Sequence, residues 1–179
     1  TLLSHIFTAT GEGCSAFLGG ISKNYGSNLL TCSNDVVVVE ADEFDRSFLQ
    51  LHPEIAVITS MDADHLDIYG DEAHIQAAFK EFASQVTGTV IAKSGLDITS
   101  DDTSAKVTRY SYNDQTADFY AVLTEGDGNG FSHFDIHWPG GVIKDCTVGI
   151  PGWVNIENAV AASAIALTYG LDPLKIREA

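Results

Sequence analysis

Residues 36–65 read VVVVEADEFDRSFLQLHPEIAVITSMDADH, and this stretch decides the fold. Val36 to Val39 form an unbroken β-branched run, and Ile55 to Thr59 form a second apolar run. Such runs mark strands of a parallel sheet covered on both faces. The residues between Glu40 and Ile55 suffice for a short crossover helix, with Phe44, Phe48, Leu49 and Leu51 turned inward. Both runs end in acid. Glu40, Asp42, Glu43 and Asp45 follow the first, and Asp62, Asp64, His65 and Asp67 follow the second. Ligands of an open α/β sheet bind beyond the carboxyl ends of its strands, so the two clusters are expected at one ligand-binding edge.

Moving outward, EAHIQAAFKEFASQV (72–86) has the spacing of an amphipathic helix and GTVIAK (88–93) reads as another buried strand. This alternation predicts an α/β fold with a doubly wound, mostly parallel sheet. From about Val107 the pattern changes. DFYAVLTEGDGNGFSHFDIHW (118–138) reads as two strands around a Gly-rich turn, with Phe134, Ile136 and Trp138 alternating with polar residues. A small antiparallel β addition along one edge of the main sheet is expected. NIENAVAASAIALTYG (155–170) then returns to an Ala-rich helix, with Asn155 as its N-cap and Gly170 closing it.

Both ends read as cut. The first residues, TLLSHIF, fall on a helical face from the first turn, and the last, DPLKIREA, open a helix with Asp172 as N-cap and Pro173 at its first position. The expectation is one domain, residues 1–179, excised from a longer protein.

Composition narrows the function classes. The chain has 179 residues, 45% of them hydrophobic, which suits a globular core and not a disordered chain. Its formal charge of −16 argues against nucleic acid or an anionic membrane as main partner. No apolar run reaches the ~20 residues that span a bilayer. Cys14, Cys32 and Cys146 are widely spaced and odd in number, which suits a reducing cytoplasm.

Glu40 and His65 are the candidate divalent-metal ligands, since two strand tips bring them to one edge. The alternative is ordinary: loop carboxylates are usually solvated, and a lone histidine is more often a hydrogen-bonded structural residue. Oxygen ligands suit Mg²⁺, whereas an imidazole leans towards transition metals such as Mn²⁺. Asn155 and Asn158 have two readings as well. They serve a helix start, or they offer donors and acceptors to a purine edge. FLGGISKNYGSNLL (17–30) is read as a turn-rich connection, because no phosphate-cradling G-x-x-x-x-G-K-[ST] pattern occurs in the chain.

The stretch EADEFDRSFLQLHPEIAVITSMDADHLDIYG resembles the central domain of the Mur ligases, above all the branch that joins L-alanine to UDP-N-acetylmuramate. NIENAVAA resembles that family's H-N-x-x-N-A-x-A-A signature, and FLGG with NYGSN resembles the segment after its phosphate-loop helix. The resemblance covers nearly the whole chain. It implies a P-loop-like fold, ATP and Mg²⁺ (or Mn²⁺) as cofactors, and amide formation through an acyl phosphate. It implies that Glu40 holds the ion bridging the ATP phosphates, that His65 holds a second ion, and that Asn155 and Asn158 contact the adenine. It also implies a phosphate loop upstream of Thr1, a UDP-binding domain before it and an amino-acid-binding domain after residue 179. Val154 and Ser60 depart from the family's usual histidine and asparagine. Lys80 stands at the distance of a lysine that is carbamylated in other branches, and no such role is assigned to it. A murein tripeptide ligase of cell-wall recycling and a non-catalytic nucleotide- or metal-binding module remain as alternatives.

Overall fold

A computed structural model describes residues 1–62, 69, 71–125 and 131–179. After helix α1 (Leu2–Ala9) come β1 (Ser15–Ser22) and β2 (Ser27–Leu30), a hairpin where a connection was expected, and then β3 (Val37–Val39). A 3-10 segment, Phe44–Gln50, leads to β4 (Ile55–Ile58), α2 (Glu72–Ser84), β5 (Thr89–Lys93) and β6 (Lys106–Ser111). Next come β7 (Phe119–Leu123), β8 (Ser132–Trp138), β9 (Gly141–Val148), α3 (Trp153–Tyr169) and α4 (Pro173–Glu178).

The strands form two sheets. One has the order β2-β1-β3, and the other β4-β5-β6-β7-β8-β9. Strands β4 to β7 pair in parallel, and β8 and β9 add to β7 antiparallel, so the α/β fold with a small antiparallel addition is as expected. One expectation is corrected. Val36–Val39 is not covered on both faces, for Val37 is 57% and Val39 42% exposed. Among the described residues β3 pairs with β1 and β4 with β5, which leaves the other edge of each strand without a ladder partner. The two edges face a shared cleft of about 690 Å³, lined by Val36 to Glu40 on one side and Ile55 to Val57 on the other. Leu3, Phe7, Ile165 and Tyr169 also line it. Phe44 is a second correction. It is 51% exposed, whereas Phe48 is buried as expected, against Phe79 and Phe82.

Helix α3 organises the larger core. Val160, Ala164 and Ala166 are fully buried, and their small side chains let the helix lie close to the sheet beside Ile91, Phe119, Phe134 and Ile136. A second core joins α2 to β4 and β5 through Ile75, Phe82, Ile58 and Val90. Gly170 ends α3 with φ 105°, a conformation that favours glycine. Asp172 caps α4 as expected, accepting the Leu174 N–H at 2.8 Å behind Pro173. The N-cap of α3 is Gly152 and not Asn155. The helix starts three residues earlier than its polar signal suggests, and Asn155 lies within the first turn with its Nδ2 donating to the Pro151 carbonyl at 3.0 Å.

Candidate active site

Glu40 follows β3 directly, and its backbone N–H extends the β1–β3 ladder by donating to the Phe17 carbonyl at 3.4 Å. Its side chain folds back over β1. Oε2 accepts the Gly19 N–H at 3.0 Å, and a Cβ on residue 19 would sit 2.7 Å from Oε1. A glycine in mid-strand therefore makes the seat on which this carboxylate rests. The GG pair could have signalled a close approach to the backbone.

The residues after Glu40 form a tight, partly strained turn. Asp42 Oδ1 accepts the Phe44 N–H at 2.9 Å, and Ser47 Oγ donates to the Asp42 carbonyl at 3.3 Å. Asp45 and Arg46 both take left-handed conformations, φ 61° and 56°, which cost non-glycine residues about 1–2 kcal/mol each. Tyr69 covers this turn. Its hydroxyl donates to the Glu43 carbonyl at 2.6 Å, and the Arg46 guanidinium lies 5.0 Å from its ring centroid. Burial pushes the phenol above its ordinary pKa against the opposing pull of Arg46.

The tip of β4 meets the same region. Ser60 Oγ donates to Asp62 Oδ2 at 2.6 Å and accepts the Asp62 N–H at 2.9 Å. Thr59, Ser60 and Asp62 line a pocket of about 180 Å³ together with Ala41 and Glu43, so the loops after β3 and β4 share one depression. Among the described residues no three His, Cys, Asp or Glu side chains converge as a metal cluster. His65 lies outside the described residues, as do Asp64 and Asp67. What is present fits a hard cation held by few protein ligands. Glu40 brings a carboxylate fixed through one oxygen, and Mg²⁺ is commonly held by one or two carboxylates with phosphates and water completing its shell.

Asn155 and Asn158 stand one turn apart on α3, Asn155 half-buried and Asn158 exposed. Beside them, Lys93 at the end of β5 pairs with Glu157 at 2.8 Å, and its ammonium lies 5.9 Å from the Trp153 ring centroid. Lys80 is engaged elsewhere. It pairs with Asp97 at 2.8 Å and Asp102 at 3.4 Å, and these carboxylates raise its pKa against some desolvation. A lysine held as an ammonium does not carbamylate readily, since that reaction needs the free amine.

The Mur ligase middle domain matches residues 24–166. The chain belongs to the Mur ligase family. The UDP-N-acetylmuramate–L-alanine ligase of Porphyromonas gingivalis is 44% identical over 182 residues, covering 99% of this chain and 40% of that protein. The ligase of the same name from Flavobacterium johnsoniae is 48% identical over 170 residues, covering 95% of this chain and 36% of that protein. The chain thus spans about two fifths of the length of these relatives. Among solved structures, the UDP-N-acetylmuramate-alanine ligase of Thermotoga maritima aligns with TM-score 0.80 at 20% identity, over 99% of this chain and 40% of that one. The UDP-N-acetylmuramate:L-alanyl-γ-D-glutamyl-meso-diaminopimelate ligase of Neisseria aligns with TM-score 0.79 at 23% identity, over 99% and 59%. At such identities the two structures support the Mur ligase fold alone.

Proposed function

We propose that this Mur ligase chain is the central, ATP-handling part of a cytoplasmic enzyme that joins L-alanine to UDP-N-acetylmuramate through an acyl phosphate. The observation that carries the reading is the 44% identity to a UDP-N-acetylmuramate–L-alanine ligase across 99% of the chain. The geometry of Glu40 supports it, because a carboxylate seated on β1 is held at the strand tips where a triphosphate would lie. Glu40 and His65 are the proposed ligands of Mg²⁺ or Mn²⁺, and Asn155 and Asn158 the proposed adenine contacts. A divalent ion held there by Glu40 would supply electrostatic stabilisation of the phosphoryl group during transfer. The work of the chain itself is positioning. Gly19 fixes Glu40, and the first two turns of α3 present Asn155 and Asn158 from a helix anchored in the core.

The longer protein is proposed to supply a phosphate loop before Thr1, a UDP-binding domain before that and an amino-acid-binding domain after residue 179. The cleft between β3 and β4 supports the first of these. Two strand edges without ladder partners among the described residues, and with apolar walls, suit one further strand leading into such a loop.

The test is phosphate release by the full-length enzyme with MgATP, UDP-N-acetylmuramate and L-alanine. Glu40→Ala should lower kcat roughly a thousandfold, equivalent to ~4 kcal/mol of lost charge stabilisation, with melting unchanged. Near-normal turnover would remove Glu40 from the mechanism. Preference for a murein tripeptide over L-alanine would move the protein to the recycling branch.

A further inference from the structure

We infer that Tyr69 is a positioning residue for the metal-binding carboxylate Glu40, acting through the strained turn that follows it; this rests on the proposed role of Glu40. Glu40 is anchored on one side by Gly19, and on the other it leads within three residues to Glu43, whose carbonyl accepts the Tyr69 hydroxyl. The turn that continues past Glu43 cannot rest in its lowest-energy backbone shape, because Asp45 and Arg46 are both left-handed. Strain of this kind persists only where surrounding contacts over-determine it. Tyr69 supplies two such contacts from one side chain, a hydrogen bond to Glu43 and a ring face to Arg46. The side chain is itself 4% exposed and packed with Phe48, Met61 and Ile75, so it is a fixed post and not a mobile cover. In sequence, Tyr69 closes the DADHLDIY stretch that follows β4. The contact therefore ties the chain after the second acidic run to the loop of the first. A buried tyrosine hydroxyl has to find an acceptor, and this one finds it in the loop that follows Glu40 and not among the core residues around its ring, which couples the post to that loop.

The test is Mn²⁺ binding to the full-length protein with a non-hydrolysable ATP analogue, read from the EPR signal of free Mn²⁺, alongside melting temperature. Tyr69→Phe keeps the ring and removes only the hydroxyl. Loss of one hydrogen bond on the turn should weaken Mn²⁺ binding roughly fivefold while melting hardly changes. Tyr69→Leu, which also removes the Arg46 contact, should weaken binding further. The Mg²⁺ concentration needed for half-maximal ligation should rise in parallel, and excess Mg²⁺ should restore turnover. Glu40→Ala is the reference. If it abolishes Mn²⁺ binding while Tyr69→Phe leaves the midpoint unmoved, the positioning role is overturned and the metal reading stands. A Tyr69→Phe protein that melts lower but binds Mn²⁺ normally also overturns it, since the hydroxyl then serves only the fold. Normal binding by Glu40→Ala would sink both ideas at once.

Discussion

In the six-stranded sheet Val90, Ile91 and Ala92 are all fully buried, three consecutive residues with both faces of β5 covered. In the three-stranded sheet Phe17, Ile21, Leu29, Val37 and Val39 keep between 42% and 76% of their surface. The residues are equally apolar, so composition does not explain the difference. Cover does. The larger sheet lies between helices, α3 on one core and α2 on the other, whereas Ala16 and Leu18 of the smaller one face Phe7 on a single side. One region has the burial that stabilises a fold. The other carries Glu40, and its exposed side chains are available to something further.

The largest expected effect follows from that contrast. Phe134→Ala removes a ring that is 1% exposed and should destabilise the chain by about 3–5 kcal/mol. Phe17→Ala, the same substitution at a residue 58% exposed, should cost less than ~1 kcal/mol. Urea unfolding of the two variants measures the difference. Equal losses would mean that the smaller sheet is as well covered as the larger.

Next comes a pH effect confined to the closed region. Burial pushes the Cys146 thiol from 9.0 up to about 11, with Asp135 adding to the shift. The unfolded chain ionises this thiol near its ordinary value, whereas the folded chain keeps it neutral. Its contribution is therefore complete below pH 9 and is lost as pH rises through 11, amounting to about 3 kcal/mol. Cys146→Ala should flatten the stability-versus-pH curve in that window relative to the parent chain. Cys32, exposed in the smaller sheet region, should be alkylated at neutral pH long before Cys146.

The same contrast explains what was legible in the sequence. Runs such as 88–93 and 72–86 gave their elements correctly because their period matches the surface they bury, and each finds its partner within the chain. Val36–Val39 looks identical in kind but its cover is missing, and no pattern in a strand says whether its neighbour is present. The turn-rich look of FLGGISKNYGSNLL suggests a connection, since glycine weakens a strand, yet Gly19 sits in β1 and admits the Glu40 carboxylate. Asn155 has the chemistry of an N-cap, but the chain was already helical two residues earlier at Trp153. The meeting of the two strand-tip loops was legible in outline, since Ala41 and Glu43 after β3 share one depression with Thr59, Ser60 and Asp62 after β4. The part played by Tyr69 was not, because a contact across 26 residues leaves no local signal.

A smaller stability effect separates the seat of Glu40 from the fold. In Gly19→Ala the new Cβ would lie 2.7 Å from Glu40 Oε1, the free end of a flexible side chain that can swing away. Stability should fall by under ~1 kcal/mol, whereas the affinity of the full-length protein for Mn²⁺ should fall by roughly tenfold, as when a group that orients a metal ligand is lost. Unchanged Mn²⁺ affinity would show that the carboxylate needs no seat.

The smallest effect discriminates most finely. Val39→Thr keeps the β-branched shape and the strand preference, so the β1–β3 ladder is not disturbed. In the 179-residue chain Val39 is 42% exposed at the cleft, and a hydroxyl there meets water; the change should lie within ~0.5 kcal/mol. In the longer protein the proposed extra strand fills the cleft, and the hydroxyl is buried against an apolar wall. A buried hydroxyl without a partner costs about 1–3 kcal/mol, so the same substitution should be destabilising there. Chemical denaturation of both pairs, short and long, reads this difference directly. A substitution that is neutral in both would leave the cleft open to solvent in the full-length enzyme, and the two sheets would then stay separate where a continuous one is proposed.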